Sequence, residues 1–394
     1  MSAPRGLRVA PHLVVASVGY VVFAYAAVPD ALMQELEVGF AAFGLLMSAA
    51  LAAFVAAQVP TSRLVDRHST TRLLLVGTAA HALLAVALDF APSYEALLAL
   101  RFLWGLTGGF LLSSGATQIS RLVSGGAATR EQGVYGGMLT LGGAVGFLVA
   151  PTLVSLPVGL NALGGLLALP GLVLLWRHRN TGLTAPTTGS DSLDSGTTAT
   201  QPSVRAVVTH PTVVVASLVY VAIIASYITL STFITSYYTD LDVLGPLNAA
   251  VLLMATLGRA VGGTAVWRWP VSDTGLIGWS AALAALGFGA LALGFSGVAV
   301  LVLPLVAMVA VSLPFGASYS LAADATGREG TAIATMVAVG NVASLVVPAV
   351  TGYLRDVMGS YVGGFAVLAV LNLFAVLGVA VLVVPGGRRG EASA

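Results

Sequence analysis

The sequence predicts an all-α membrane protein with twelve transmembrane helices in two pseudo-symmetric six-helix bundles. Three observations carry that expectation. The 394 residues are 57% hydrophobic and only 8% charged, where a soluble domain carries roughly a quarter charged residues. The apolar runs are long and unbroken, unlike the short alternating segments of a membrane barrel. The chain also nearly repeats itself. Pro11, Val14, Val15, Ala16, Ser17, Tyr20 and Val21 return as Pro211, Val214, Val215, Ala216, Ser217, Tyr220 and Val221, at an offset of 200.

Two further echoes support a parallel duplication. Arg130, Glu131, Met138 and Gly142 return as Arg328, Glu329, Met336 and Gly340, at an offset of 198. Gly44, Leu46 and Ala49 return as Gly245, Leu247 and Ala250, at an offset of 201. The chain therefore divides into a first bundle at 1–176, a polar linker at 177–210 and a second bundle at 211–394. The Thr, Ser, Gly and Asp content of the linker makes it a flexible tether without chemistry of its own.

A helix needs about 20 apolar residues to cross about 30 Å of hydrocarbon. By that measure the first six spans lie near 10–30, 39–60, 71–91, 94–120, 131–155 and 158–176. The second six lie near 211–236, 244–267, 273–295, 298–322, 330–353 and 361–384. The run from Val298 to Ala323 is apolar all round, as a helix among lipid and other helices should be. Charges mark the turns. One side collects Arg5, Arg8, Arg63, Arg67, Arg72, Arg121, Arg130, Arg177, Arg179, Arg205, Arg268, Arg328, Arg388 and Arg389. The other holds Arg355 among the acids Asp30, Glu35, Glu37, Asp89, Glu95, Asp240, Asp242 and Asp356. The positive-inside rule puts the arginine-rich side, with both termini, in the cytoplasm, as an even span number requires.

Composition also excludes. A net charge of +1 without a basic face argues against nucleic-acid binding. The absence of cysteine removes disulfides, thiol catalysis and cysteine metal sites. No metal or cofactor is expected, and no cleavable signal peptide is evident. An intramembrane enzyme would need a second base or orienting acid beside Ser113, Ser114 and His81, and none accompanies them.

The loop expected after the second span reads Ser62-Arg63-Leu64-Val65-Asp66-Arg67-His68-Ser69-Thr70-Thr71-Arg72. It resembles the signature Gly-x-Leu-Ala-Asp-Arg-x-Gly-Arg-Arg of the major facilitator superfamily, with Leu64, Asp66 and Arg67 matching. Gly262-Gly263 to Arg268 stands at the equivalent place in the second half without the aspartate. The resemblance implies a secondary transporter whose bundles rock about a midplane site, working as a monomer in the cytoplasmic membrane. It implies that Asp66 helps to latch the cytoplasmic side, with Arg67, Arg121 and Arg130 as candidate partners. A drug or metabolite efflux carrier of the same superfamily is the alternative, and a non-transporting sensor would need a larger soluble part than this chain has.

Helices 4 and 5 are rich in closely spaced glycine. Gly105 with Gly109, and Gly142 with Gly146, are placed for tight crossings. Gly142, Gly146 and Pro151 also resemble the superfamily's helix-5 antiporter pattern, without its Gly-Pro pair.

Arg101 and Arg259 are the arginines within predicted spans, and an intramembrane charge costs at least a few kcal/mol and is a functional hypothesis by default. Gly258-Arg259-x-x-Gly262 resembles the helix-8 context of organic-anion and nitrate carriers, which implies an anionic cargo, and Arg101 resembles the common helix-4 arginine. Gln58 stands at the repeat position of Arg259. Tyr20, Tyr220 and Tyr227 are candidate hydroxyl donors. His81 can titrate near neutrality but reads as a packing residue. The resulting expectation is a small anion between helices 2 and 8, with a proton or another ion for coupling.

Overall fold

In hydrocarbon, every backbone N–H and C=O must be satisfied within the chain, which selects helices or a closed barrel. The computed structural model describes residues 4–123, 126–154, 159–180, 203–243, 246–268, 271–326 and 329–383, and no strand occurs among them. The first half contains α1 (Arg5–Phe23), a 3₁₀ turn (Ala24–Ala27), α2 (Pro29–Leu36), α3 (Phe40–Arg67), α4 (Thr70–Leu88), α5 (Tyr94–Leu122), α6 (Gly126–Leu153), α7 (Ala162–Leu167) and α8 (Leu169–Arg177). After α9 (Val204–Val208) come α10 (Pro211–Thr239), α11 (Leu247–Arg268), α12 (Asp273–Ala292), α13 (Ala299–Ser312), α14 (Phe315–Ala323), α15 (Glu329–Met358) and α16 (Val362–Val383).

Ten stretches among the described residues are long and apolar enough to cross a membrane, and the shorter apolar helices Ala162–Arg177 and Leu247–Gly262 stand at the sixth and eighth places. Proline explains two breaks. Pro170 sits in the first turn of α8 and Pro314 just before α14. Neither can donate to the turn before it. Most of the linker, 181–202, lies outside the described residues.

The glycines act where helices cross. A Cβ on Gly105 would lie 2.5 Å from the Ala50 carbonyl oxygen, and one on Gly109 2.6 Å from Phe54 Cα, so α5 lies directly against α3. On α6, a Cβ at Gly142 would overlap the Ala16 carbonyl of α1, while Gly146 has more room, 3.3 Å from the Tyr20 oxygen. Large apolar side chains such as Val76, Leu83, Trp279, Leu286 and Val381 remain exposed around the outside. That is the surface a bilayer covers.

α1 starts and α16 ends on one face of the bundle, here the terminal face; the opposite one is the far face. Contacts joining the halves gather toward the far face. The Ser48 hydroxyl of α3 donates to the Leu345 carbonyl of α15 at 2.5 Å. Phe43 packs on Phe233 with ring centroids 6.1 Å apart, and Phe23 on Tyr227 at 5.7 Å. Along α6 and α11, the Thr140 and Thr256 hydroxyls are hydrogen-bonded to each other at 2.5 Å.

Two expectations need correction. The signature stretch is not a loop in its first half: residues 62–67 form the last turns of α3. Arg355 and Asp356 likewise belong to α15 rather than to the turn after it.

Candidate functional site

Arg259 lies where the seam between α6 and α11 ends. Its guanidinium carbon sits 4.7 Å from the ring centre of Tyr227 on α10 and 4.6 Å from that of Phe315 on α14. Nη1 donates to the Gly136 carbonyl of α6 at 3.3 Å. Nε is buried without a hydrogen-bond partner, as is the Tyr227 hydroxyl. No carboxylate pairs with Arg259 among the described residues. A Cβ on Gly136 would meet nothing within 4 Å, so open space lies beside the cluster.

Two more tyrosines complete it. The Tyr220 and Tyr319 hydroxyls lie 3.1 Å apart, so one donates to the other and one proton is left over. Their rings meet edge to face at 5.6 Å, and Phe315 packs on both, at 6.1 Å and 5.3 Å. Chemically this is one fixed positive charge among aromatic faces, with hydroxyl donors around it. It suits an anion with an apolar body: the guanidinium offers charge-assisted hydrogen bonds and the rings offer contact area.

The structure brings Arg259, Tyr220 and Tyr227 together and leaves the other candidates elsewhere. Gln58 on α3 is half-buried, and its side chain makes no hydrogen bond to Arg259 among the described residues; it is the Gly136 carbonyl that meets Arg259. Tyr20 turns into the first half, its ring against Gly164 of α7, with its hydroxyl buried and unpartnered. Arg101 is buried and spends its nitrogens on structure. Nη1 donates to the Val21 carbonyl at 3.0 Å, Nη2 to Val22 at 3.1 Å and Nε to Leu46 at 3.4 Å, while Tyr25 stacks 4.2 Å away. Together with Tyr25, Asp89 and Asn161 it lines a cavity of about 240 Å³ near the far face, apart from Arg259.

His81 is fully committed. Trp104 Nε1 donates to its Nδ1 at 3.0 Å, which leaves the proton on Nε2, 2.7 Å from the Ser17 hydroxyl. Ser17 in turn donates its hydroxyl hydrogen bond to the Gly164 carbonyl at 2.7 Å. That chain of donors needs a neutral imidazole.

At the terminal face, Arg121 donates from Nη2 to the Val65 carbonyl at 2.7 Å, one residue from Asp66. Arg67 is exposed in the last turn of α3. The side chains of Asp66 and Arg130 lie outside the described residues.

Sequence reasoning missed Phe315 and Tyr319, which carry no charge to betray them. It also missed a polar group joining α1 and α6. Glu131 accepts from Arg8 Nη2 and lies 3.4 Å from His12 Nε2. His12 Nδ1 reaches the Arg8 carbonyl at 2.9 Å, and Tyr135 packs edge-on to its ring at 5.8 Å. His12 beside Pro11, facing the repeated Arg-Glu pair, was the available signal. No cluster of metal-ligating side chains occurs among the described residues.

Comparison with known proteins completes the picture. The family description Major Facilitator Superfamily matches residues 12–348. A search of curated proteins returns no match. Two crystal structures of a bacterial homolog to the human lysosomal transporter Spinster share the fold. The inward-facing, unoccupied one has a TM-score of 0.70 at 16% identity, covering 96% of each chain. The inward-facing, occupied one has a TM-score of 0.72 at 15% identity, again with 96% of each chain covered. With its helical spans, its repeated halves and a family match over most of its length, the chain belongs to the Major Facilitator Superfamily and is a multi-pass membrane transporter.

Proposed function

We propose that the protein carries a small organic anion, bound at Arg259 and exposed alternately to the two faces of the membrane. The observation that supports this reading is the buried, unpartnered Nε of Arg259 beside the unpartnered Tyr227 hydroxyl. A guanidinium cannot shed its proton to escape burial, and two orphaned donors in one place call for an acceptor that arrives with the cargo. The ring faces of Tyr227, Phe315, Tyr319 and Tyr220 favour an organic body over a bare inorganic oxyanion.

The bundles, at 1–176 and 211–394, rock about the Arg259 cluster, and the terminal face is the cytoplasmic one on the arginine count. Contacts toward the far face and open space beside Gly136 support a state closed outside and accessible from within. For the coupling ion we favour a proton at the Glu131 and His12 pair. No enzymatic step is assigned.

The test is thermal stabilisation of the purified protein by benzoate, its neutral analogue benzamide and nitrate. A ligand at a hundred times its dissociation constant adds about 2.7 kcal/mol to stability. Benzoate is expected to stabilise the wild type and benzamide not. Arg259→Lys keeps the charge without the fork and should weaken the effect about tenfold or more in dissociation constant. Arg259→Ala should abolish it. Equal stabilisation by benzoate and benzamide, or full binding by Arg259→Ala, contradicts the reading.

A further inference from the structure

The first turn of α3 lacks a cap of its own. Gly39 precedes it with no side chain to offer, and the N–H groups of a first helical turn have no partner within the helix. A carboxylate from the other half fills the gap. Asp356 Oδ1 accepts from the Phe40 N–H at 3.0 Å and Oδ2 from the Ala41 N–H at 2.8 Å. Both bonds are charge-assisted and lie at the positive end of the helix dipole. The approach is close: a Cβ on Gly39 would stand 3.1 Å from Oδ1 and 3.2 Å from Oδ2. We propose that Asp356 is a gating residue of the transport cycle, latching the far face shut by capping α3 from the opposite half.

Its neighbour serves as the anchor. Arg355 Nη2 donates to Asp240 Oδ2, at the end of α10, at 2.7 Å. The same guanidinium lies 4.8 Å from the Phe40 ring and 5.2 Å from the Tyr361 ring. The end of α15 is thus tied to α10 and to Tyr361, just before α16, within its own half, while Asp356 reaches across to the N–H groups of α3 and Arg355 lies over the Phe40 ring there. Beneath the latch the two helices stay in contact, with Gly44 under the Pro348 carbonyl and the Ser48 hydroxyl on the Leu345 carbonyl. Cargo leaving through the far face requires α3 and α15 to part here, so the cap must break in each cycle and its strength sets how often the far face opens. The inference rests on alternating access, though not on the identity of the cargo.

The natural chain contains no cysteine, so a single introduced thiol reports without background. Ser48→Cys lies under the latch and Gly136→Cys beside Arg259 on the other side of the seam. Each is placed in the full-length protein in liposomes and labelled from either face with a membrane-impermeant maleimide. Adding Asp356→Asn, which keeps the shape and removes the charge, is expected to speed far-face labelling of Ser48→Cys about fivefold, the scale on which a lost helix cap shifts a two-state equilibrium. Labelling of Gly136→Cys from the terminal face should slow, and Asp356→Glu should restore both rates. Equal, measurable rates with and without Asp356→Asn would overturn the latch and leave alternating access standing. Faster labelling at both positions would overturn it as well, because that is general loosening. Absence of far-face labelling in every background would overturn the latch together with the alternating-access reading.

Discussion

His81 and Glu131 are both titratable and both bonded, but their surroundings assign them opposite roles. His81 accepts from Trp104 and faces Ser17, each partner fixed by its own bond. A glutamine there can still accept at one end and donate at the other. His81→Gln should therefore fold, and the pH profile of uptake should match that of the wild type; a displaced profile would return the histidine to the coupling step. Glu131, in contact with Arg8 and His12 toward the terminal face, is the carboxylate to which the coupling proton is assigned. Glu131→Gln should abolish uptake driven by a proton gradient while exchange of cargo across the membrane persists. Loss of both activities would contradict the proton assignment. The sequence made Arg101 and Arg259 legible because a charge in an apolar run has no innocent explanation. It could not separate them. What divides them is three carbonyls around Arg101 and an orphaned Nε on Arg259, and those neighbours come from other helices.

At the scale of elements, apolar run length located the spans well, because helix length follows bilayer thickness. It failed where the backbone leaves the simple pattern. α2 is too short and polar to register as a span, and the breaks at Pro170 and Pro314 divide stretches that look continuous. Glycine positions were legible but not their severity. Gly142 faces the backbone of Ala16, which cannot turn aside, whereas Gly136 faces open space. Gly142→Ala should cost about 1–3 kcal/mol as overpacking, and Gly136→Ala should gain up to about 1 kcal/mol from helix propensity. Denaturant unfolding in detergent compares them, and equal effects would contradict the crossing described here.

α2 also carries a pH dependence. Burial, and then the neighbouring charge of Asp240, hold the Asp30 carboxyl above the usual carboxylate range. A raised folded value means that the native state binds this proton more tightly than the unfolded chain. Its contribution is present below the ordinary value of about 3.9 and is lost as pH rises through the folded value. Asp30→Asn should therefore raise the melting temperature at pH 7, and the advantage should shrink as pH falls toward 4. An advantage independent of pH would mean that packing rather than charge is responsible.

At the scale of the molecule, the duplication was legible in three offsets, and the superfamily in a few residues around Asp66. The conformation was not, because it depends on which contacts between halves are made. Those toward the far face run through Asp356, Ser48 and Phe43, while Thr140 and Gly136 meet α11 farther in. The central claim is that the two faces open in opposition about Arg259. Paired spin labels test it most directly, one pair at Glu37 and Met358 near the far face and another at Arg63 and Ser320 nearer the terminal face. Distances are measured in lipid nanodiscs, with and without Asp356→Asn. The account predicts that the variant lengthens the first distance and shortens the second within the same sample. Two distances that stay fixed, or that lengthen together, would contradict it.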